Sequence, residues 1–371
     1  MARSERSADE GASDGSQPVD VGDGPVVDTD VHVGRGIGLE DVASRLDEPH
    51  RSRVHDASHG VFPSSAWDRE MAGKIPRRQF AGADELVEQL CDKLGVDYPI
   101  LNTTSRIPKL PDEEFAVALM RAYNDVLVEE FLDEYDAFRG LLTVATQRPE
   151  AAAAEVDRLG DEDQVVGLYV ATGGPMYPLG DPRYDVLYEA AAEHDLTVAY
   201  HGHAGAFMTD FPRQNQAVSN FFTIHPLAHA WDQMLTVASL LGNGTPAKFP
   251  DLNFAFLEAG LGWFAYMMFR YNKEYRMRRS EVPLLDRSPE ECMRDQFYVA
   301  TQPLEEPDDP ADLRHVIEAV GTENIMFSTD YPHWDFDNPE TVAAQYGAAF
   351  SEAERRRVLA GNAAEAFGID L

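Results

Sequence analysis

The sequence predicts an α/β protein built as a (β/α)8 barrel with insertions, the TIM-barrel arrangement. Three observations carry this expectation. Eight short runs rich in β-branched and aromatic residues alternate with helix-like segments from Pro25 onward. Strands buried on both faces and separated by helices imply a parallel sheet. Ionisable residues fall at the C-terminal ends of several runs, where a barrel carries its chemistry. Eight such units in about 340 residues suit a closed barrel better than an open doubly wound sheet. The open sheet is the alternative, because strand order is invisible in sequence.

The first run is the unusual one. In PVVDTDVHV (25–33), Val26, Val27, Val31 and Val33 favour a strand and Thr29 suits one. Asp28, Asp30 and His32 recur at spacing two, so they share one face. Burying repeated carboxylates is costly unless a bound cation compensates them; an exposed polar edge is the plain alternative. The glycine-rich turn at 34–38 lacks the GxGxxG spacing, so a dinucleotide fingerprint is not supported. Residues 39–80 are irregular and long enough for a lid or binding loop.

The later elements keep a regular beat. Leu86, Leu90 and Leu94 at i, i+4 spacing predict a helix over 83–94. Strand 98–104 precedes a long helix over 112–135, which Asp112 can cap and whose first turn suits Glu113 and Glu114. Strand 139–145 is followed by an Ala-rich helix over 149–159. Strand 164–170 leads to helix 182–194, and strand 196–201 to a helix around 228–241. Strand 252–258 precedes helix 263–278, and strand 296–301 precedes helix 311–320. The last pair is strand 324–330 and helix 352–359.

Composition bounds the function. Of 371 residues, 44% are hydrophobic, enough for a sizeable core. The net charge of −34 comes from 65 acidic against 31 basic residues. Only Lys74, Lys93, Lys109, Lys248 and Lys273 are lysines. An acid-rich, lysine-poor surface fits concentrated salt, where the screening length falls to about 3 Å at ~1 M. A halophilic cytoplasm is therefore expected. The same charge argues against nucleic acid or an anionic membrane as partner. Cys91 and Cys292 are isolated, which excludes a disulfide framework and fits a reduced, cytoplasmic setting. No apolar run is long enough to span a membrane. Residues 1–24 have no apolar core of a signal peptide and read as a disordered acidic tail; 25–371 read as a single barrel domain.

The strand ends supply a constellation. Asp30 and His32 close the first strand, His201 the fifth with His203 just beyond, Glu258 the sixth, and Asp330 the eighth, followed by His333. A barrel gathers these ends at one mouth. Imidazole with carboxylate suits a divalent ion with an open position for water. Singly, each residue has a plainer reading: His201 as a core histidine, Asp330 as a helix cap, Glu258 as a partner of Arg270. His225 and His229 in HPLAH have the i, i+4 spacing that puts two imidazoles on one helix face. No Glu follows His225 and Pro226 suggests a helix start, so that pair is not assigned to the metal.

Four segments resemble the amidohydrolase superfamily, specifically the amidohydrolase-related branch that contains aminocarboxymuconate-semialdehyde decarboxylase. They are VDTDVH in the first strand, PLGDPRYDVLYEAAAEHDLTVAYHGHAG through the fifth, FPDLNFAFLEAGLGW at the sixth and FSTDYPHWD at the eighth. The resemblance covers about Val26 to Phe367. It implies a barrel with one divalent metal, usually zinc, held at Asp30, His32, His201 and Asp330, and suggests a homodimer. Two departures stand out. Asp30 replaces the first histidine of the family's HxH, and this harder ligand set admits manganese or iron. Glu258 stands where the decarboxylases have a catalytic histidine, and an ionised carboxylate there would repel a carboxylate substrate.

These departures favour metal-dependent hydrolysis of a small-molecule substrate, with metal-activated water as nucleophile. Asp330 would take the water proton and pass it to the leaving group, with Glu258 as second proton carrier or additional ligand. Asn102, Arg106, His203 and His333 are candidate substrate contacts because they follow strand ends. A metal-dependent non-oxidative decarboxylase is the alternative, and a catalytically inactive binding barrel the third reading.

Overall fold

A computed structural model of the protein describes residues 24–55, 82–103, 106–202, 221–333, 336–337 and 349–371. Eight strands lie side by side in sequence order, every neighbouring pair parallel. They are β1 (Val27–His32), β2 (Tyr98–Asn102), β3 (Arg139–Thr143), β4 (Val165–Ala171), β5 (Thr197–His201), β6 (Phe254–Leu257), β7 (Phe297–Ala300) and β8 (Ile325–Met326). The last strand returns to the first. Thr29 N–H donates to the Phe327 carbonyl at 3.1 Å, Asp330 N–H to Asp30 O at 3.1 Å and His32 N–H to Tyr331 O at 2.8 Å. The sheet is a nearly closed (β/α)8 barrel, as the alternation of runs implies, and the open doubly wound sheet is excluded.

The helices stand where their caps and apolar faces put them. Asp112 caps the long helix Glu113–Glu130 by accepting from Phe115 N–H at 3.0 Å. Ser288 and Glu291 form a reciprocal capping box on helix Pro289–Gln296. Alternate strand residues point to opposite faces: Val198 and Tyr200 pack outward under the helices, whereas Ala199 lies with Val27, Ile100, Leu141, Tyr169 and Ala255 in the lumen. The C-terminal helix Asn362–Phe367 plugs the lumen from below, through Ala363, Ala366 and Phe367. Asn253 donates to its Ala366 carbonyl at 3.1 Å. A packed floor leaves the opposite, C-terminal rim as the place for a site.

Three expectations change. The run 324–330 is a strand only over Ile325–Met326, because the chain beyond it bulges inward. Pro226 does not start a helix; it lies inside helix Phe221–Gly242. Helix 112–135 ends at Glu130, followed by the short turn Leu132–Glu134. The acidic tail and most of 39–80 lie outside the described residues; Leu39–Ser44 and His50–His55 within that stretch are helical. Among the described residues no helix is long and apolar enough to cross a membrane.

Candidate metal centre

Asp30, His32, His201 and Asp330 converge at the C-terminal rim, each offering a ligand atom within 4.8 Å of the others. Three strands deliver them. β1 carries Asp30 and His32 on its lumen face, β5 ends in His201, and the bulged segment after β8 turns Asp330 inward. Asp330 and Glu258 both have left-handed backbones, at φ 62° and 52°. For a non-glycine residue that conformation costs about 1–2 kcal/mol. It swings each carboxylate off the line of its strand.

The carboxylates are buried and held in place. Asn102 Nδ2 donates to Asp30 Oδ1 at 2.8 Å, and Gln302 Nε2 to Asp330 Oδ2 at 3.4 Å. His333 Nδ1 lies 2.7 Å from Asp330 Oδ1. His32 Nε2 is 2.9 Å from the same oxygen, and His201 Nε2 is 3.2 Å from Asp30 Oδ2 and 3.0 Å from Glu258 Oε2. Beneath them Asp28 accepts from Thr329 N–H at 2.9 Å, Thr329 Oγ1 at 2.5 Å and Asp30 N–H at 3.2 Å. Burial pushes the Asp28 carboxyl up to about 7. Its partners are backbone and hydroxyl groups, so it shapes the loop that carries Asp330.

The electrostatics call for positive charge at the centre. Burial disfavours charge on His201, yet Asp30 and Glu258 hold its pKa well above the usual histidine range. Burial and then Glu258 hold Asp330 well above the carboxylate range. For Asp30, burial is outweighed by His201 and His32, which hold its pKa down. For Glu258, burial is likewise outweighed, by His229 and His201.

A divalent ion fits this donor set. Asp30 Oδ2, His32 Nε2 and His201 Nε2 are buried without a hydrogen bond, although each is a strong polar group. His201 Nδ1 donates to the Gly202 carbonyl at 2.5 Å, which leaves Nε2 as the nitrogen turned to the centre, where an ion would take the place of its proton. Two carboxylates and two imidazoles in reach of one point, with Asp30, Asp330 and His201 braced from behind, meet the requirements of such a site.

The remaining expected residues are distributed around it. Asn102 and His333 touch the cluster through Asp30 and Asp330. Arg106 opens the turn Ile107–Lys109 beyond β2, where its charge acts on Tyr123. His203 lies outside the described residues. Two neighbours were not assigned to the site. Gln302, two residues beyond β7, is uncharged, so a search for ionisable strand ends passes over it. His229 is buried with Nδ1 3.4 Å from Glu258 Oε2, and its HPLAH spacing was the available signal.

Fold and rim together define a metal-binding (β/α)8-barrel protein. A family model described as amidohydrolase (Amidohydro_2) matches residues 27–369, and the chain belongs to that family. Gamma-resorcylate decarboxylase from Rhodococcus jostii (strain RHA1) is 27% identical over 336 residues, spanning 84% of this chain and 94% of that protein. The protein of the same name from Rhizobium sp. (strain MTP-10005) is 25% identical over 332 residues, with the same coverage. Among solved structures, an amidohydrolase from Mycobacterium avium subsp. paratuberculosis K-10 superposes with a TM-score of 0.74 at 18% identity, covering 93% of this chain and all of that one. A manganese-bound 5-carboxyvanillate decarboxylase from Novosphingobium aromaticivorans DSM 12444 superposes with a TM-score of 0.71 at 19% identity, covering 96% of this chain and all of that one.

The hydrolase expectation is overturned by the two gamma-resorcylate decarboxylases. The physical argument behind it was that an ionised Glu258 would stand against a carboxylate substrate and repel it. Instead the Glu258 carboxylate is flanked by His201 and His229, so the imidazole absent from the end of β6 is delivered beside it by helix Phe221–Gly242.

Proposed function

We propose that this chain is a metal-dependent, non-oxidative decarboxylase of small aromatic carboxylic acids. The observation that carries the reading is the four-residue cluster at the rim of a chain aligned over 84% of its length with gamma-resorcylate decarboxylases. Asp30, His32, His201 and Asp330 would hold the ion. Manganese suits two carboxylate oxygens better than zinc does, and it is the ion bound in solved relatives of the same fold. The ion supplies positive charge that anchors substrate oxygens and withdraws electron density as the carboxylate leaves.

This chain's own groups do the rest. The protonated Asp330 carboxyl donates its proton to the ring carbon that bears the carboxylate. The carbon–carbon bond then breaks, its electron pair returns to the ring, and carbon dioxide departs. His333, partly open to solvent and 2.7 Å from Asp330, returns a proton to it. Asn102 and Gln302 keep Asp30 and Asp330 oriented through the cycle. The test is a screen of hydroxylated benzoic acids with manganese-loaded protein, followed by carbon dioxide release. One equivalent of carbon dioxide per equivalent of acid consumed is expected. No release from any aromatic acid by the loaded protein would sink the reading.

A further inference from the structure

We propose that His225, His229 and Glu258 form a second divalent-cation site beside the first, with Glu258 lying between the two ions. Ligand atoms of these three residues fall within 4.8 Å of one another. His225 and His229 sit one helical turn apart on Phe221–Gly242, their rings 5.3 Å apart and at 75°. Two histidines at i, i+4 plus one carboxylate from another element is a recurrent donor set for a divalent ion with an open fourth position.

The backbone is shaped to make this juxtaposition. Gly202, just past β5, leaves no room for a side chain: a Cβ there would lie 2.9 Å from His229 Cα and 3.0 Å from His229 Nδ1. The helix is therefore seated directly on the strand end that supplies His201. Gln233, one turn further along, fixes the seating by donating to the Tyr200 and Leu257 carbonyls at 3.0 Å each. Glu258 adopts its left-handed backbone at the same junction, and one oxygen, Oε2, faces both His201 Nε2 at 3.0 Å and His229 Nδ1 at 3.4 Å.

Charge balance points the same way. Three carboxylates, Asp30, Asp330 and Glu258, crowd the rim, and imidazoles that bind metal are neutral. With Asp330 carrying the proton that the reaction uses, one divalent ion only balances Asp30 and Glu258 and leaves the pocket neutral. A second ion makes it positive and attractive to a carboxylate. An ion pair between Glu258 and protonated His229 is the competing account, and it requires no second ion.

Metal stoichiometry separates the two. Manganese(II) alone is titrated into chelator-stripped full-length protein, and bound metal is measured after equilibrium dialysis. Two ions per chain are expected in the unaltered protein and one in His225→Ala, with folding checked by circular dichroism. His201→Ala should weaken the first site and keep one ion at the second. Electron paramagnetic resonance adds a readout that needs no variant: two ions flanking one carboxylate give a spin-coupled spectrum, whereas one gives an isolated six-line signal. Saturation of the unaltered protein at one ion, or an uncoupled spectrum throughout, overturns the proposal. Two ions without decarboxylation would overturn the proposed activity and leave this site standing.

Discussion

The two sides of the barrel are built differently. Between β4 and β5 the ladder is unbroken, with Gly167 through Ala171 each opposite its partner from Thr197 through His201. Between β8 and β1 it is a seam. β8 is two residues long, a single bridge pairs Val31 with Tyr331, and the β1–β2 register shifts between Asp28 and Val31. Side chains reinforce the few backbone bonds there, through Thr29 Oγ1 on the Phe327 carbonyl at 2.9 Å and Asp28 on Thr329. The regular side contributes one candidate ligand, at its very end. The irregular side contributes three, because only a backbone released from its ladder can turn Asp330 inward. Regular pairing gives rigidity, and its interruption makes room for chemistry.

This contrast can be broken from either side. The largest effect is expected at the seam: Asp330→Asn should lower decarboxylation on the order of 10²–10⁴-fold, measured as initial rate of carbon dioxide release. On the regular side, Leu168→Ala removes a fully buried side chain and should cost about 2–5 kcal/mol in denaturant unfolding. Metal content measured on the same sample should be unchanged, and a loss there would show that the two sides are not separable. Asn102→Ala removes the bond that orients Asp30 and should weaken metal binding about 10–100-fold by competition with a chelator, with little change in stability.

The smallest effect lies behind the seam. Ser351 caps helix Glu352–Arg356 in a reciprocal box with Glu354, and the chain that follows braces β8 through Phe327 N–H on Val358 O at 2.9 Å. Ser351→Ala should cost about 1 kcal/mol at neutral pH. The backbone and hydroxyl of Ser351, with Arg314, hold the Glu354 carboxyl down to about 2. A depressed carboxylate stabilises the fold above its unfolded value of 4.5, and that contribution is lost as pH falls through about 2. The deficit of the variant should therefore shrink as urea melts are taken from pH 4.5 downward.

What could be read from the sequence follows the same division. Regular strands announce themselves by continuous apolar runs, so all eight and their order of alternation were visible. The ends of β1, β5 and β8 were visible because ionisable groups are rare in such runs. The bulge after Met326 was not, since FSTD reads as a continuation of the strand and nothing local signals that Asp330 turns left-handed. His229 was seen but set aside. Whether an i, i+4 pair faces a site depends on where its helix docks, and that depends on the lack of a side chain at Gly202, a contact between distant segments. The reaction was misread because one ligand set serves both to activate water and to hold a carboxylate. The residue that tipped the reading, Glu258, changes its meaning once His229 stands beside it.

The Asp28–Thr329 bond joins residues 301 positions apart, across most of the described chain. An ion shared by Asp30 and Asp330 would lie directly above it and act as a removable clasp on the same closure. A clasp across so long a loop restricts the unfolded chain strongly, since closure entropy grows with loop length. Metal supply would then set how long the protein survives as well as how fast it works. Starved of the ion, the seam would be the first part to open, and proteases would find the chain there before they found it anywhere along β4 and β5.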